Sequence, residues 1–414
     1  MKLSEELSWR GFVNQTTLAN ISDLDNLHFN FYLGIDPSSD SMTVGNLAMA
    51  MMVKHFIAYG HSAWLLVGGA TGMIGDPDGK KVERHLLTKE ALTHNRQALV
   101  KQYNKLFSGE PIRVVDNYDW FKDYAYLDFL RDVGKHVPMR QMLARDFVET
   151  RLGDQGSGIS YAEFSYVLIQ AYDFLYLYRN HGVNMQVCGS DQWGNSIAGV
   201  DLIRRVEGGS AHVWSGPLVV NPKTGVKFGK TEAGAIWLDP DKTSPTEFYQ
   251  FWVTCEDETV EYYLKIFTLL TKDKIASIMD EHHKNPKQRK AQFYLADSVT
   301  ELVHGREAAD RAKIATSYLI GTRSLSGASS HDLNILKSEI PCTKSSKDGS
   351  IIEVLVSSGL AASNSQARKL IEAGAIYLNG DQISRTSFKA DDFVSGRLLL
   401  RRGKAYRDSA LIEI

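Results

Sequence analysis

The chain has 414 residues with 47 Lys+Arg against 49 Asp+Glu, a formal charge of −2, and room for roughly two to three domains. Hydrophobic residues at 43% and charged residues at 23% exclude wholesale disorder, and the near-zero charge excludes a uniformly basic surface while leaving a local basic patch open. Only Cys188, Cys255 and Cys342 are present, without a CxxC pair, which argues against a disulfide framework and a structural zinc site.

The opening MKLSEELSWRGFVNQTT is polar and acidic, with no apolar stretch of a secretory signal. From there to about residue 240, short apolar runs alternate with helical patterns. FYLGI (31–35), AWLLVGG (63–69), IRVVD (112–116) and NMQVCGS (184–190) read as buried strands ending at turn signals. Helices are expected over 47–59, 88–107, 125–152 and 160–179. Alternation of this kind predicts an α/β unit with a parallel sheet covered on both faces, and ligands at the carboxyl ends of the strands. The longest mostly apolar stretch, 63–75, is too short and glycine-rich to cross a bilayer. A soluble, intracellular protein is the expectation.

Beyond Pro240 the pattern becomes helical to about Gly321, and no convincing strand interrupts it. Residues 321–350, rich in Ser, Gly and Lys, read as a linker. A final piece of about 65 residues follows, with two short helices and then strand-like segments.

Four constellations in the first region bear on chemistry. In YLGIDPSSDSMTVGNLAMAMM (32–52), Gly45-Asn46 open a helix whose first amides lack partners, so Ser38, Thr43 and Asn46 suit phosphate or ribose. An ordinary helix cap is the competing reading. GGATGMIGDPDGKK (68–81) is neither a Walker A loop nor GxGxxG. It is a glycine run followed by Asp76 and the cations Lys80, Lys81 and Arg84. In SYAEFSYVLIQAYDFLYLY (160–178), Tyr166, Gln170 and Asp173 share one face of an otherwise apolar helix, as a site or as a buried structural network. Lastly, VCGSDQWGN (187–195) places Gly189 and Asp191 after a strand, where Asp191 suits ribose hydroxyls, and VKFGKT (226–231) sets Lys227 and Lys230 in a loop suited to a polyphosphate. A lysine pair by itself is equally a solvated turn.

Taken together and in this order, these segments resemble the bacterial tyrosyl-tRNA synthetases, class I aminoacyl-tRNA synthetases, over nearly the whole chain. The matching signatures are YxGxDPxxxS at 32–41, GGATGxIGDPxGK at 68–80, YxxxQxxD at 166–173, GSDQWGN at 189–195 and KFGKT at 227–231, the last being the family's form of the KMSKS loop. The resemblance implies a Rossmann-like catalytic domain over 1–240, an all-helical anticodon-binding domain over 241–321, a linker over 322–349 and a small α+β S4-like RNA-binding domain over 350–414. It implies activation of L-tyrosine by ATP, with Mg2+ accompanying the nucleotide and no protein-bound metal or organic cofactor. Transfer to tRNA(Tyr), a homodimer with its interface around 125–150, no membrane association and a cytoplasmic location complete the expectation.

Residue roles follow from the same resemblance. The phenol of tyrosine would meet Tyr32 and Asp173, its ammonium Asp76, Tyr166 and Gln170, and its carboxylate Gln192. Gly189 and Asp191 would hold the ribose of ATP, with Gly34, Asp36 and Gly45 also facing the nucleotide. Ser38, Thr43, Asn46, Lys80, Arg84, Lys227, Lys230 and Thr231 would act on the phosphates. One departure stands out: the family's HxGH signature is here Thr43-Val44-Gly45-Asn46, so a shorter hydroxyl replaces the first imidazole.

Residues 351–383 resemble the S4-like domain that ends these synthetases. Arg368 and Lys369 fall on its helix, and Arg401 and Arg402 lie in a stretch free of acids from 397 to 407; such groups hold RNA through phosphates without reading sequence. Two rivals remain at this point. One is a catalytically silent relative that binds RNA, kept open by the altered HxGH signature; the other is a ligase for a different amino acid, tryptophan being the nearest. A metal hydrolase is disfavoured, because the 12 histidines form no HExxH.

Overall fold

The structure is a computed structural model. It describes residues 1–77, 86–143, 145–153, 156–220, 230–231, 234–403, 406 and 408–414, with 146, 147, 230 and 231 described in backbone only. Two compact units emerge, one of Met1–Asp239 with Glu258–Ser277, the other of Pro240–Asp257 with Ile278–Ile414.

The first unit is built on a sheet of Gln15–Thr16 (β1), Asn30–Ile35 (β2), Ser62–Val67 (β3), Ile112–Asp116 (β4), Met185–Gly189 (β5) and His212–Gly216 (β6), in the order β1-β6-β5-β2-β3-β4. All neighbours are parallel except β1 with β6. The four anticipated strands are present. HVWSG of β6 is an additional strand, buried from Val213 to Gly216. A short hairpin of Lys230–Thr231 (β7) with Gly234–Ala235 (β8) also belongs to this unit.

The chain leaves β2 toward β3 and β4, then returns to β5 on the other side of β2, so the order reverses between β2 and β5. Register makes this a physical gap. β2 pairs with β3 from Asn30↔Ser62 to Ile35↔Val67, but with β5 only at Phe31↔Met185 and Tyr32↔Gln186. The two strands therefore part toward their carboxyl ends, where an open α/β sheet binds its ligands.

Helices Val44–Ala58, Lys89–Leu106 and Trp193–Glu207 pack on the strands, and Tyr161–His181 packs on Trp193–Glu207. Phe174, Leu175 and Leu177 from Tyr161–His181 join Tyr32, Trp64 and Leu202 in a common core. The expected helix over 125–152 is instead broken into Tyr126–Asp132, Met139–Leu143 and Asp146–Leu152. Gly134 and Pro138 lie between the first two, and both interrupt helices, one through backbone entropy and the other through its missing N–H.

Arg10 ties Glu258–Ser277 to the rest of the first unit. Its buried guanidinium donates to the carbonyls of Lys265 at 2.7 Å, Thr268 at 2.9 Å and Leu270 at 2.6 Å, and pairs with Glu6. These are carbonyls at the end of helix Asp257–Phe267 and just beyond, which have no intrahelical partners.

In the second unit, helices Pro245–Val253, Lys290–His304 and Arg306–Leu319 pack together. Its sheet comprises Cys342–Lys344 (β9), Ile376–Leu378 (β10), Asp381–Ile383 (β11), Arg397–Arg402 (β12) and Ser409–Glu413 (β13), in the order β11-β10-β12-β13-β9. Helices Ile351–Ser357 and Asn364–Glu372 share its core through Ile351, Leu355, Ala367, Ile371, Leu398 and Leu400.

The serine-rich stretch 322–349 is structured where a linker was expected. It contains helix Ser330–Glu339 and β9, which pairs in parallel with β13. Leu333, Leu336 and Ile340 bury themselves with Tyr318, Leu319 and Leu411. Three apolar side chains at helical spacing outweigh a polar composition. Among the described residues, no helix is long and apolar enough to cross a membrane.

Candidate active site

A cavity of about 400 Å3 opens where β2 and β5 part, and residues 33–35 and 187–189 form two of its walls. Ser38, Thr43, Gly45, Asn46, Asp76, Tyr166, Gln170, Asp173, Asp191 and Gln192 line it together with Tyr32, Gly34, Asp36 and Gly189. Segments far apart in sequence are thus brought into one site by the topology.

Among the acidic residues lining the cavity, Asp173 is buried, 1% exposed. Asn117 Nδ2 donates to its Oδ2 at 3.0 Å and Trp120 Nε1 to its Oδ1 at 2.9 Å. Burial pushes this carboxyl well above the ordinary range, and Asp36 and Asp116 push the same way against the two donors. Tyr32 is equally buried, and its hydroxyl has no hydrogen-bond partner among the described residues. Burial, then the proximity of Asp173, keeps that phenol protonated. Gln170 Oε1 is likewise buried without a partner among the described residues. Unpaired buried polar atoms are costly, so these two mark where a polar ligand would be bonded.

Behind Asp173 a chain of hydrogen bonds runs to Asp36. Asn117 Nδ2 also donates to Thr71 Oγ1 at 3.1 Å, and Thr71 donates to Asp36 Oδ1 at 2.6 Å. Tyr166 donates its hydroxyl to Asp36 Oδ2 at 2.7 Å. Gly68 makes room for this arrangement: a Cβ there would stand 2.1 Å from Thr71 Oγ1 and 2.2 Å from Asp36 Oδ1. Tyr166 and Asp36, assigned by resemblance to different substrates, are therefore bonded to each other.

On the opposite wall, Gln192 Nε2 donates to Asp76 Oδ2 at 2.5 Å. Asn195 Nδ2 donates to Gln192 Oε1 at 3.2 Å, and Arg145 holds Asn195 Oδ1 and Gly194 O in turn. The two residues expected at the ammonium and the carboxylate of the amino acid are thus adjacent.

At the nucleotide end, Thr43 precedes helix Val44–Ala58 in an extended conformation. Asn46 Oδ1 accepts from Thr43 N–H at 2.9 Å and from Thr43 Oγ1 at 3.0 Å. Ser38 and Asp191 are exposed at the rim. Gly189 lets the Asp191 carboxylate come close, since a Cβ there would meet Asp191 Oδ1 at 2.7 Å. Lys80, Lys81, Arg84 and Lys227 lie outside the described residues, and Lys230 and Thr231 are described only as the backbone of β7.

Sequence reasoning missed Asn117, Trp120 and Thr71. The signal for Asn117 was available, because it directly follows β4, at the carboxyl end of a parallel strand. Trp120 carries no such mark; its ring stacks on Tyr176 at 4.4 Å and 14°, a contact made only in the folded chain.

In the second unit, Arg368 and Lys369 are exposed on helix Asn364–Glu372. Arg401 and Arg402 are committed within the fold. The Arg401 guanidinium lies 4.9 Å from the Tyr377 ring and 5.0 Å from the Tyr406 ring, and Arg402 bonds Leu360 O at 2.9 Å and pairs with Asp408.

The chain matches two family models: class I tRNA synthetases (W and Y) over residues 24–320, and the C-terminal domain of tyrosine–tRNA ligases over 332–407. It is 41% identical to a tyrosine–tRNA ligase of Porphyromonas gingivalis over 422 aligned positions, covering 98% of each chain. Identity to tyrosine–tRNA ligase 2 of Bacillus cereus is also 41%, again over 98% of each. Among solved structures, a C-terminally truncated mitochondrial tyrosyl-tRNA synthetase of Aspergillus nidulans superposes with a TM-score of 0.70 at 31% identity, covering 77% of this chain and 94% of that one. With full-length similarity, a parallel-sheet core and a cavity at its switch point all in agreement, the chain belongs to the tyrosine–tRNA ligase family of class I tRNA synthetases.

Proposed function

We propose that the chain activates L-tyrosine with ATP to tyrosyl-adenylate and pyrophosphate, then transfers the tyrosyl group to the 3′-terminal ribose of tRNA(Tyr). A tyrosine carboxylate oxygen attacks the α-phosphorus as the bond to the pyrophosphate oxygen breaks. No protein nucleophile is required; positioning and charge stabilisation supply the catalysis. ATP enters with Mg2+ as its counter-ion.

The observation that carries this reading is the buried pair lining the cavity, Asp173 as acceptor and the Tyr32 hydroxyl, without a partner among the described residues, as second partner for a phenol. Phenylalanine would leave both without their ligand, an effect for which this enzyme family is the usual illustration. Tyr166, Gln170 and Asp76 suit the ammonium, and Gln192 the carboxylate. Gly34, Asp36, Gly45, Gly189 and Asp191 suit the nucleoside side of ATP, with Ser38 and Asn46 toward its phosphates. Lys80, Arg84, Lys227, Lys230 and Thr231 are assigned to the phosphates by their places in the family signatures.

We assign 1–240 to catalysis, the helices of 241–321 to the anticodon and 350–414 to RNA binding, with Arg368 and Lys369 facing phosphates. A cytoplasmic homodimer is part of the same reading. Its support is that Tyr126, Leu127, Met139, Leu143, Leu152 and Tyr161, all within residues 126–161, are exposed large hydrophobic side chains. Tyrosine-dependent exchange of pyrophosphate into ATP, followed by charging of bacterial tRNA, tests the function. Folded protein without exchange, or with exchange driven better by tryptophan, would overturn it.

A further inference from the structure

The hydrogen bonds at the start of helix Val44–Ala58 define which way Asn46 faces. A backbone N–H can only donate, so the Asn46 atom 2.9 Å from Thr43 N is the amide oxygen. That oxygen cannot donate, so the hydrogen of the Thr43 hydroxyl, 3.0 Å away, must point toward it. Two donors from one residue thereby hold Oδ1, and the Nδ2 hydrogens are the donors that Asn46 retains for the cavity it lines. Thr43, which also lines the cavity, has committed its hydrogen and offers lone pairs there. Lone pairs do not bind phosphate oxygens.

The backbone around Thr43 is pinned as well. Val44 N–H donates to Ile236 O at 3.1 Å, Leu238 N–H to Met42 O at 2.9 Å, and Met42 N–H to Gln102 Oε1 at 2.7 Å. Thr43 is bridged to Trp237 between the first two of these bonds. The anchor that orients Asn46 is thus itself fixed on both sides.

From this geometry we infer that Thr43 is a positioning residue: its hydroxyl locks the Asn46 amide so that Nδ2 donates to an oxygen of ATP. Thr43 does not contact the phosphates. The altered signature is then a working pair, in which a hydroxyl and an amide act as one donor. This inference rests on the proposed activation of tyrosine by ATP and names how one end of that site recognises the nucleotide.

A double-mutant cycle tests it, with ATP–pyrophosphate exchange measured for Thr43→Val, Asn46→Ala and the double variant. Thr43→Val keeps the branched shape and the backbone N–H but removes the hydroxyl. The expected result is a loss of about tenfold in kcat/KM for ATP in Thr43→Val, with KM for tyrosine little changed and a modest fall in the thermal midpoint from the lost helix cap. Thr43→Ser, which keeps the hydroxyl, should restore most of the rate. In the Asn46→Ala background, Thr43→Val should cost nothing further. The same tenfold loss in both backgrounds would show direct contact with ATP and overturn the inference, as would unchanged ATP kinetics in Thr43→Val. A wild-type protein that is folded yet shows no exchange would instead overturn the functional reading beneath it.

Discussion

Trp120 Nε1 stands 2.9 Å from Asp173 Oδ1 while its indole ring stacks on Tyr176, so one side chain both aims and walls the buried carboxylate. Asn117 bonds the other oxygen at 3.0 Å. Neither residue belongs to the family signatures, yet both determine which lone pairs of Asp173 remain for a phenol.

Trp120→Phe removes the N–H donor and keeps an aromatic ring against Tyr176. A hydrogen bond contributes about 1 kcal/mol, so kcat/KM for tyrosine is expected to fall roughly fivefold. Asn117→Ala should act in the same direction and also remove the bond to Thr71, which keeps its bond to Asp36. Steady-state exchange with tyrosine varied is the check, and the preference for tyrosine over phenylalanine should narrow in parallel.

Tyr32→Phe separates folding from binding. The Tyr32 hydroxyl is buried with no partner among the described residues, so removing it deletes an unsatisfied polar atom and should leave stability unchanged or slightly raised. Tyrosine should nevertheless bind more weakly by about 1 kcal/mol, roughly fivefold in KM. Thermal unfolding and exchange kinetics on the same preparation decide it; a marked loss of stability would mean the hydroxyl has a structural partner.

Much of this site is legible in the sequence, and the reason is local. Tyr32, Asp76, Tyr166, Asp173 and Gln192 sit in strand ends, turns and one helix face whose chemistry is visible in neighbouring residues. The fold follows from strands alternating with helices, and β2 to β5 appear with their expected apolar runs. What stays hidden is relational. Gln192 bonding Asp76 and Tyr166 bonding Asp36 depend on which side chains meet across the cavity. The segment 322–349 misleads for a different reason, since its composition is polar but Leu333, Leu336 and Ile340 have a core to join.

Arg151 and Glu163 form a bidentate pair at 3.0 and 2.8 Å, each side chain 3% exposed, with Arg151 Nε bonding Gly158 O at 2.7 Å. Removing one partner leaves an uncompensated buried charge. Arg151→Met should cost about 3–5 kcal/mol, whereas Arg151→Met with Glu163→Leu should recover most of it. Urea unfolding of both variants gives the comparison, and equal losses would place the pair outside the protein's stable core.

Acidification should weaken the fold through two buried histidines. Burial, aided by Arg10, pulls His55 down to about 3, and burial, aided by His28, pulls His61 down to about 4. His61 Nδ1 accepts from Phe29 N–H at 3.1 Å, a bond that needs that nitrogen unprotonated. Both stay neutral in the fold but take up protons in the unfolded chain below about pH 6.5, so their contribution is complete above that pH and is lost as pH falls toward 4. The loss should reach about 1.4 kcal/mol per histidine at pH 5.5. His61→Gln should flatten the dependence of the thermal midpoint between pH 5 and 6.5; parallel curves for variant and wild type would refute this assignment.

Basic residues of the second unit divide into two kinds with opposite consequences. Arg368 and Lys369 are exposed on their helix, free of the commitments that engage Arg401 between two tyrosine rings and Arg402 with Asp408. Each phosphate contact released by mutation lowers the slope of log K against log salt by roughly 0.7–0.9. Arg368→Ala with Lys369→Ala should therefore weaken tRNA binding, flatten its salt dependence by about 1.5, and leave tyrosine-dependent exchange unchanged. Arg401→Ala should instead destabilise the domain by about 1–2 kcal/mol through lost cation–π contacts. Binding titrations at several salt concentrations distinguish the two, and an unchanged salt slope in the first variant would move the RNA face away from this helix.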